Sequence, residues 1–159
     1  MKENINDSFE VDYRYDYTYD VLAIKVTRPF KYNKTVEMDE GVLLDFDVDN
    51  VPVSLEILDA SKRLDVPKYS LKKLVDFKMR ISVDDKSICI CANFTVMLHN
   101  KEQSPILESF TSNYSNIPAM ETEFATLNSV FSFFNLLLLI FGIPFYIFLR
   151  DEVMFRFER

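Results

Sequence analysis

Between Val42 and Ile57 the chain reads VLLDFDVDNVPVSLEI, and its side chains change character at every second position. Val42, Leu44 and Phe46 alternate with Leu43, Asp45 and Asp47, while Val53, Leu55 and Ile57 alternate with Ser54 and Glu56. A period of two sorts residues onto the two faces of an extended strand, which no helix can do. Asp49 and Asn50, between the two runs, tolerate the positive φ of a tight turn, so the stretch predicts a β-hairpin with Leu44 and Ile57 on its buried face. The same period recurs on both sides. VLAIKV (Val21 to Val26) predicts a strand closed by Arg28 and Pro29, and KYNKTVEMDEG after it reads as a charged connection. Two further strands are expected from about Leu74 to Val83 and from Ser87 to His99, joined by a turn at Asp84 to Lys86. Tyr13, Tyr15, Tyr17 and Tyr19 alternate with Arg14, Asp16, Thr18 and Asp20, which lines four rings along one face of an extended segment. Asp59 as N-cap and Pro67 as a stop frame a short helix at ASKRL. Residues 1–108 are thus expected to form an α+β domain, a small mainly antiparallel β-sheet with a short helix.

The other end of the chain has a different composition. From Thr126 to Leu149 there are 24 residues without a charge, enough at 1.5 Å per residue to cross a bilayer core. The expectation is a single C-terminal transmembrane α-helix at residues 126–149, a polar linker at 109–125 and a short charged tail at 150–159. Arg150, Arg156 and Arg159 follow the span, and the 20 residues before it hold no Lys or Arg, which points the C-terminus inward. The polar, acidic and aromatic N-terminus shows no export signal. That favours an N-terminal domain on the cytoplasmic side of a single-pass membrane protein. Nine of the 15 Phe lie between Phe124 and Phe157, a break sharp enough to admit an alternative in which the apolar tail arises from a change of reading frame.

Composition narrows the chemistry. Two glycines cannot build the glycine-rich loop of a Walker or Rossmann nucleotide site. A net charge of −7 argues against binding nucleic acid through whole-domain charge, and no nucleic-acid partner is expected. Asp45, Asp47, Asp49 and Glu56 fall at positions 1, 3, 5 and 12 of a calcium-binding loop, yet Asn50 stands where the bend needs glycine and both flanks have the period of strands rather than helices. Cys89 and Cys91 share one strand face, but with His99 as the single histidine no tetrahedral metal set can be assembled. No catalytic, cofactor-binding or metal residue is therefore assigned, and the acid pairs Asp45 with Asp47 and Asp84 with Asp85 read as turn and edge carboxylates. One basic cluster stands out: Lys62, Arg63, Lys68, Lys72, Lys73, Lys78 and Arg80 face two acids, Asp65 and Asp76.

The residues Tyr15, Asp16, Asp20, Val21, Leu22 and Ile24, followed by Gly41, Val42, Leu44, Asp45, Asp47, Asp49 and Glu56 to Ala60, resemble the domain-of-unknown-function family 2283, small prokaryotic proteins that open on a Tyr-Asp strand. The resemblance spans about Tyr15 to Leu64 and implies a small antiparallel sheet with a short helix. It carries no activity with it. Taken together, these features lead to the expectation of a non-enzymatic protein-interaction module, tethered to the membrane by its C-terminal helix and recruiting a protein partner, in an oligomeric state the sequence leaves open. The alternative is a soluble antitoxin-like or ligand-binding domain.

Overall fold

The computed structural model describes residues 6–127. They form ten strands: β1 (Asn6–Asp16), β2 (Val21–Val26), β3 (Tyr32–Asp39), β4 (Val42–Asp47), β5 (Pro52–Ile57), β6 (Asp76–Val83), β7 (Ser87–Leu98), β8 (Lys101–Gln103), β9 (Ile106–Ser112) and β10 (Met120–Thr126). Two four-residue helices, α1 (Ala60–Arg63) and α2 (Lys68–Leu71), lie between β5 and β6. The α+β assignment is therefore corrected to a mainly β fold, because the helical segments are single turns joining the two halves of one sheet.

The strand order is β3-β4-β5-β2-β1-β10-β6-β7-β8, with β9 also pairing β7. All pairs are antiparallel except β1 with β10, which run parallel from Asn6 opposite Glu121 to Val11 opposite Thr126. The sheet curls until its two ends approach, and the Lys34 ammonium on β3 donates to the Ser115 carbonyl just past β9 at 3.4 Å. Alternate side chains point into the curl. Leu22, Ile24, Leu44, Leu55, Ile57, Met79, Ile81 and Phe124 are fully buried, and Phe77 packs on Phe94 with ring centroids 5.0 Å apart.

The hairpin expected at 42–57 is present, with Val42 opposite Ile57 and Leu44 opposite Leu55. Asn50 takes φ 59° in its turn. The hairpin of β6 and β7 likewise turns where it was expected, with the Asp84 carboxylate accepting the N–H groups of Lys86 and Ser87, each at 2.7 Å. Those backbone bonds hold Asp84 below the usual carboxylate range.

Three expectations are overturned. KYNKTVEMDEG is largely strand β3, an edge strand whose buried Val36 and Met38 alternate with exposed polar residues. The polar stretch 109–125 is not a tether, because it contains the end of β9 and most of β10, a strand at the centre of the sheet. The 126–149 segment does not open as a spanning helix, since Thr126 is the last residue of β10 and is buried. Among the described residues no helix is long and apolar enough to cross a membrane. The rest of that segment, residues 128–149, and the tail at 150–159 lie outside the described residues. The described fold thus gives no basis for the membrane placement.

Candidate functional site

The tyrosine alternation stops short of a four-ring stripe. Strand β1 ends at Asp16, whose carboxylate turns back to accept the N–H groups of Thr18 and Tyr19 at 2.9 and 3.0 Å. Tyr13 and Tyr15 stay on the strand and pack half-buried against the core. Tyr17 and Tyr19 sit in the turn, 49% and 76% exposed. The turn closes at Asp20, which adopts φ 54°.

Asp20 is buried, and it is the polar centre of this corner. Its Oδ1 accepts the Tyr15 hydroxyl at 2.7 Å and the Ser61 N–H at 3.0 Å, and its Oδ2 accepts the Ser61 hydroxyl at 2.6 Å. The Asp20 carbonyl also takes the Ala60 N–H at 2.9 Å. Asp59 stands at the N-cap position of α1 but in the left-handed conformation, with no side-chain cap bond. The capping carboxylate expected from Asp59 is thus supplied by Asp20, from the β1–β2 turn 41 residues away. Burial by itself would raise the Asp20 carboxyl, but the bonds from Ser61 and Tyr15, with the Lys68 charge nearby, outweigh it and leave the group below its ordinary value. The reciprocal effect falls on Tyr15: desolvation first, then the Asp20 hydrogen bond and charge, push its hydroxyl well above the usual tyrosine range.

Beside this capped corner α2 brings two lysines to one ring. The Lys72 Nζ lies 4.4 Å and the Lys68 Nζ 5.5 Å from the centre of the Tyr17 ring, and Lys68 also donates to the Tyr17 carbonyl at 3.2 Å. The Leu74 N–H donates to the Tyr13 hydroxyl at 2.9 Å and ties the exit of α2 to β1. The result is a surface on which Tyr17 is held beside Lys68 and Lys72, with Tyr19 in the same turn and Tyr69 on α2 both exposed, cationic and aromatic on a chain of net charge −7.

The fold divides the basic cluster read from the sequence. Arg63 folds back over Gly41 and donates to the Leu58 carbonyl at 2.9 Å, and Lys62 pairs with Asp59 at 3.7 Å. Lys78 and Arg80 lie on β6, with Lys78 bridged to Glu123 at 3.3 Å. The acids with calcium-loop spacing are also separated. Asp45 accepts the Thr35 hydroxyl at 2.6 Å, whereas Asp47 is buried, bridged to Arg28 at 3.1 Å and accepting the N–H groups of Asp49 and Val51. His99 and Asn100 take φ 49° and 63° in the β7–β8 turn, a backbone role. Cys89 and Cys91 are free thiols on the outer face of β7. Among the described residues no group of three His, Cys, Asp or Glu side chains is placed to hold a metal ion.

A curled β-sheet whose first hairpin caps a helical turn through a part-buried Tyr-Asp-Ser set defines the class of this protein. The chain belongs to the DUF2283 family of proteins of unknown function, whose profile matches residues 12–61, the stretch containing Tyr13 to Asp20 and Ser61. It is 30% identical over 112 residues to a Methanosarcina mazei protein provisionally named hypoxanthine phosphoribosyltransferase, covering 70% of this chain and 89% of that one. It is 34% identical over 112 residues to an uncharacterized protein of Methanocaldococcus jannaschii, covering 69% of this chain and 91% of that one. No solved structure matches the chain.

Proposed function

We propose that the domain is a protein-interaction module whose docking surface is the Tyr17–Lys68–Lys72 corner, and that its partner presents an acidic polypeptide segment. The observation that carries this reading is the pair of ammonium groups held at 4.4 and 5.5 Å from one exposed ring. A cation fixed beside an aromatic ring costs little side-chain entropy to order on binding, and it attracts carboxylates at short range even where the whole chain repels them. A ring already occupied by two ammonium groups offers little free face for stacking a base, which favours a peptide over single-stranded nucleic acid.

The test is anisotropy of a labelled oligoglutamate peptide titrated with the full chain, beside a labelled oligothymidine of equal charge. Salt-sensitive binding of the peptide, lost in Lys68→Glu/Lys72→Glu with the fold intact by circular dichroism, is the expected result. Tighter binding of the oligonucleotide, or no change in the double variant, overturns it. The name of the M. mazei relative points for that protein to hypoxanthine and a phosphoribosyl group. Hypoxanthine and ribose 5-phosphate therefore enter the titration as competitors, and displacement of the peptide by either would favour a ligand-binding reading of the same lysines.

A further inference from the structure

The outer face of β6, β7 and β9 carries a second surface, independent of the corner. The registers place Ser82, Cys89 and Phe110 in one row across the three strands, and Arg80, Cys91 and Glu108 in the next. These six side chains line a shallow open trough of about 550 Å³. Phe110 is 75% exposed and Ile106, one row further along β9, is 58% exposed. Arg80 makes no ion pair among the described residues, and Glu108 accepts a long bond of 3.9 Å from the Cys91 thiol. Arg80 and Glu108 flank Cys91 on the two neighbouring strands, their backbones roughly 10 Å apart at about 4.8 Å per strand, and no ion pair joins them among the described residues.

We infer that this face is an isologous interface with a second copy of the chain, on a twofold axis that runs along β7 between the two sheets. Such an axis lays β6 of one protomer over β9 of its partner and β7 over β7. Each Arg80 then meets a Glu108, each Phe110 comes over the Ser82 side of the opposite trough, and the small residues Cys89 and Cys91 lie on the axis, where the sheets approach. The other in-plane axis, across the strands, would set Glu108 on Glu108 and Arg80 on Arg80. The charge pattern selects the first arrangement. An exposed phenylalanine at the rim of a trough whose middle is lined by the small residues Ser82, Cys89 and Cys91 supplies the knob and hole that a self-complementary contact needs.

Sedimentation equilibrium of the full chain over a concentration series tests this. The wild type should dimerise, and Arg80→Glu and Glu108→Arg should each weaken the dimer about tenfold or more, since each reverses two equivalent pairs. The double variant Arg80→Glu/Glu108→Arg should restore it, and a short bis-maleimide should link Cys91 to Cys91 in the wild type and the double variant but poorly in either single variant. A monomer at all concentrations, or a dimer indifferent to the single charge reversals, overturns the inference. So does failure of the double variant to recover while its far-ultraviolet dichroism stays native. Because Lys68 and Lys72 are untouched, peptide binding at the other corner reports separately on that surface.

Discussion

Replacing Asp20 removes the one carboxylate that joins the β1–β2 turn to α1. In Asp20→Ala three hydrogen bonds disappear together, from the Tyr15 hydroxyl and from the Ser61 N–H and hydroxyl. Loss of a helix cap costs about 1 kcal/mol. A part-buried tyrosine hydroxyl left without its acceptor adds about 1–2 kcal/mol. Alanine at φ 54° adds about 1 kcal/mol more, because its Cβ crowds the carbonyl in the left-handed region. The expected destabilisation is therefore about 3–4 kcal/mol. Asp20→Asn keeps one acceptor oxygen and tolerates the backbone, so it loses mainly the charge assistance and should cost about 1–2 kcal/mol. Urea unfolding of the full chain reads both, as a shift in midpoint at unchanged slope. The folded carboxyl titrates below its unfolded value, so its contribution is complete above about pH 4 and fades as pH falls through the folded value. The gap between wild type and Asp20→Asn should narrow at the acid end. An Asp20→Ala protein within about 1 kcal/mol of wild type, or an Asn variant as damaged as the Ala variant, would refute the reasoning.

Tyr15→Phe should cost about 1 kcal/mol at neutral pH. The Tyr15 hydroxyl titrates above its unfolded value, so its contribution is complete below about pH 10 and drains as pH rises beyond that; the phenylalanine variant should show a flatter alkaline limb in a series of melts. Gly41→Ala forces φ 75° on a side chain and sets its Cβ 2.7 Å from the Arg63 guanidinium and 3.3 Å from the Leu58 Cβ. Arg63 can swing aside, so thermal melts should show a loss of about 1–2 kcal/mol from the backbone, and a neutral result would contradict it. Leu44→Ala or Ile57→Ala should cost about 2–5 kcal/mol by denaturant titration, since both side chains are fully buried. Millimolar calcium should leave the melting temperature unchanged, because Asp45 and Asp47 are engaged by Thr35 and Arg28; a rise abolished by Glu56→Ala would reverse that conclusion.

The hairpin at 42–57 was legible because two independent signals agree there, the period of two and a turn that accepts positive φ. Strand β3 carries the same period in Lys34, Val36 and Met38, but its outer positions are so charged that the alternation reads as a connection; an edge strand needs little apolar surface. Strand β10 was harder still. METEFAT places Thr122 and Thr126 at buried positions, and the Thr126 hydroxyl satisfies itself on Asp76 and the Phe77 N–H, neither of which sequence spacing reveals. The apolar run after it drew the segment into a linker-and-span reading. The buried Asp20 was hidden for a similar reason. As an alternating residue it looked like the solvent side of a tyrosine stripe, and its decisive partner, Ser61, is 41 positions away. The aromatic and basic residues of the corner were each visible, but which lysines would meet which tyrosine depended on how α2 packs against the turn.

The position of β10 also bears on what the family-matched stretch can do by itself. Residues 12–61 include the second half of β1 from Asp12 on, all of β2 to β5 and the start of α1. They hold the complete Tyr15-Asp20-Ser61 set. Yet β1 is flanked on its far side by β10, with Phe9 opposite Phe124 and their rings in edge contact at 6.4 Å, and β10 in turn carries β6. The corner lysines come from α2, beyond the matched stretch. The parallel β1–β10 pair joins residues more than a hundred positions apart, so closing it requires the intervening chain to be folded or ordered at the same time. The matched stretch therefore supplies the cap, the later chain supplies the cations and the outer trough, and β10 fixes one against the other. Loosening that strand should disturb both surfaces together, whereas a surface charge reversal at either should leave the other intact.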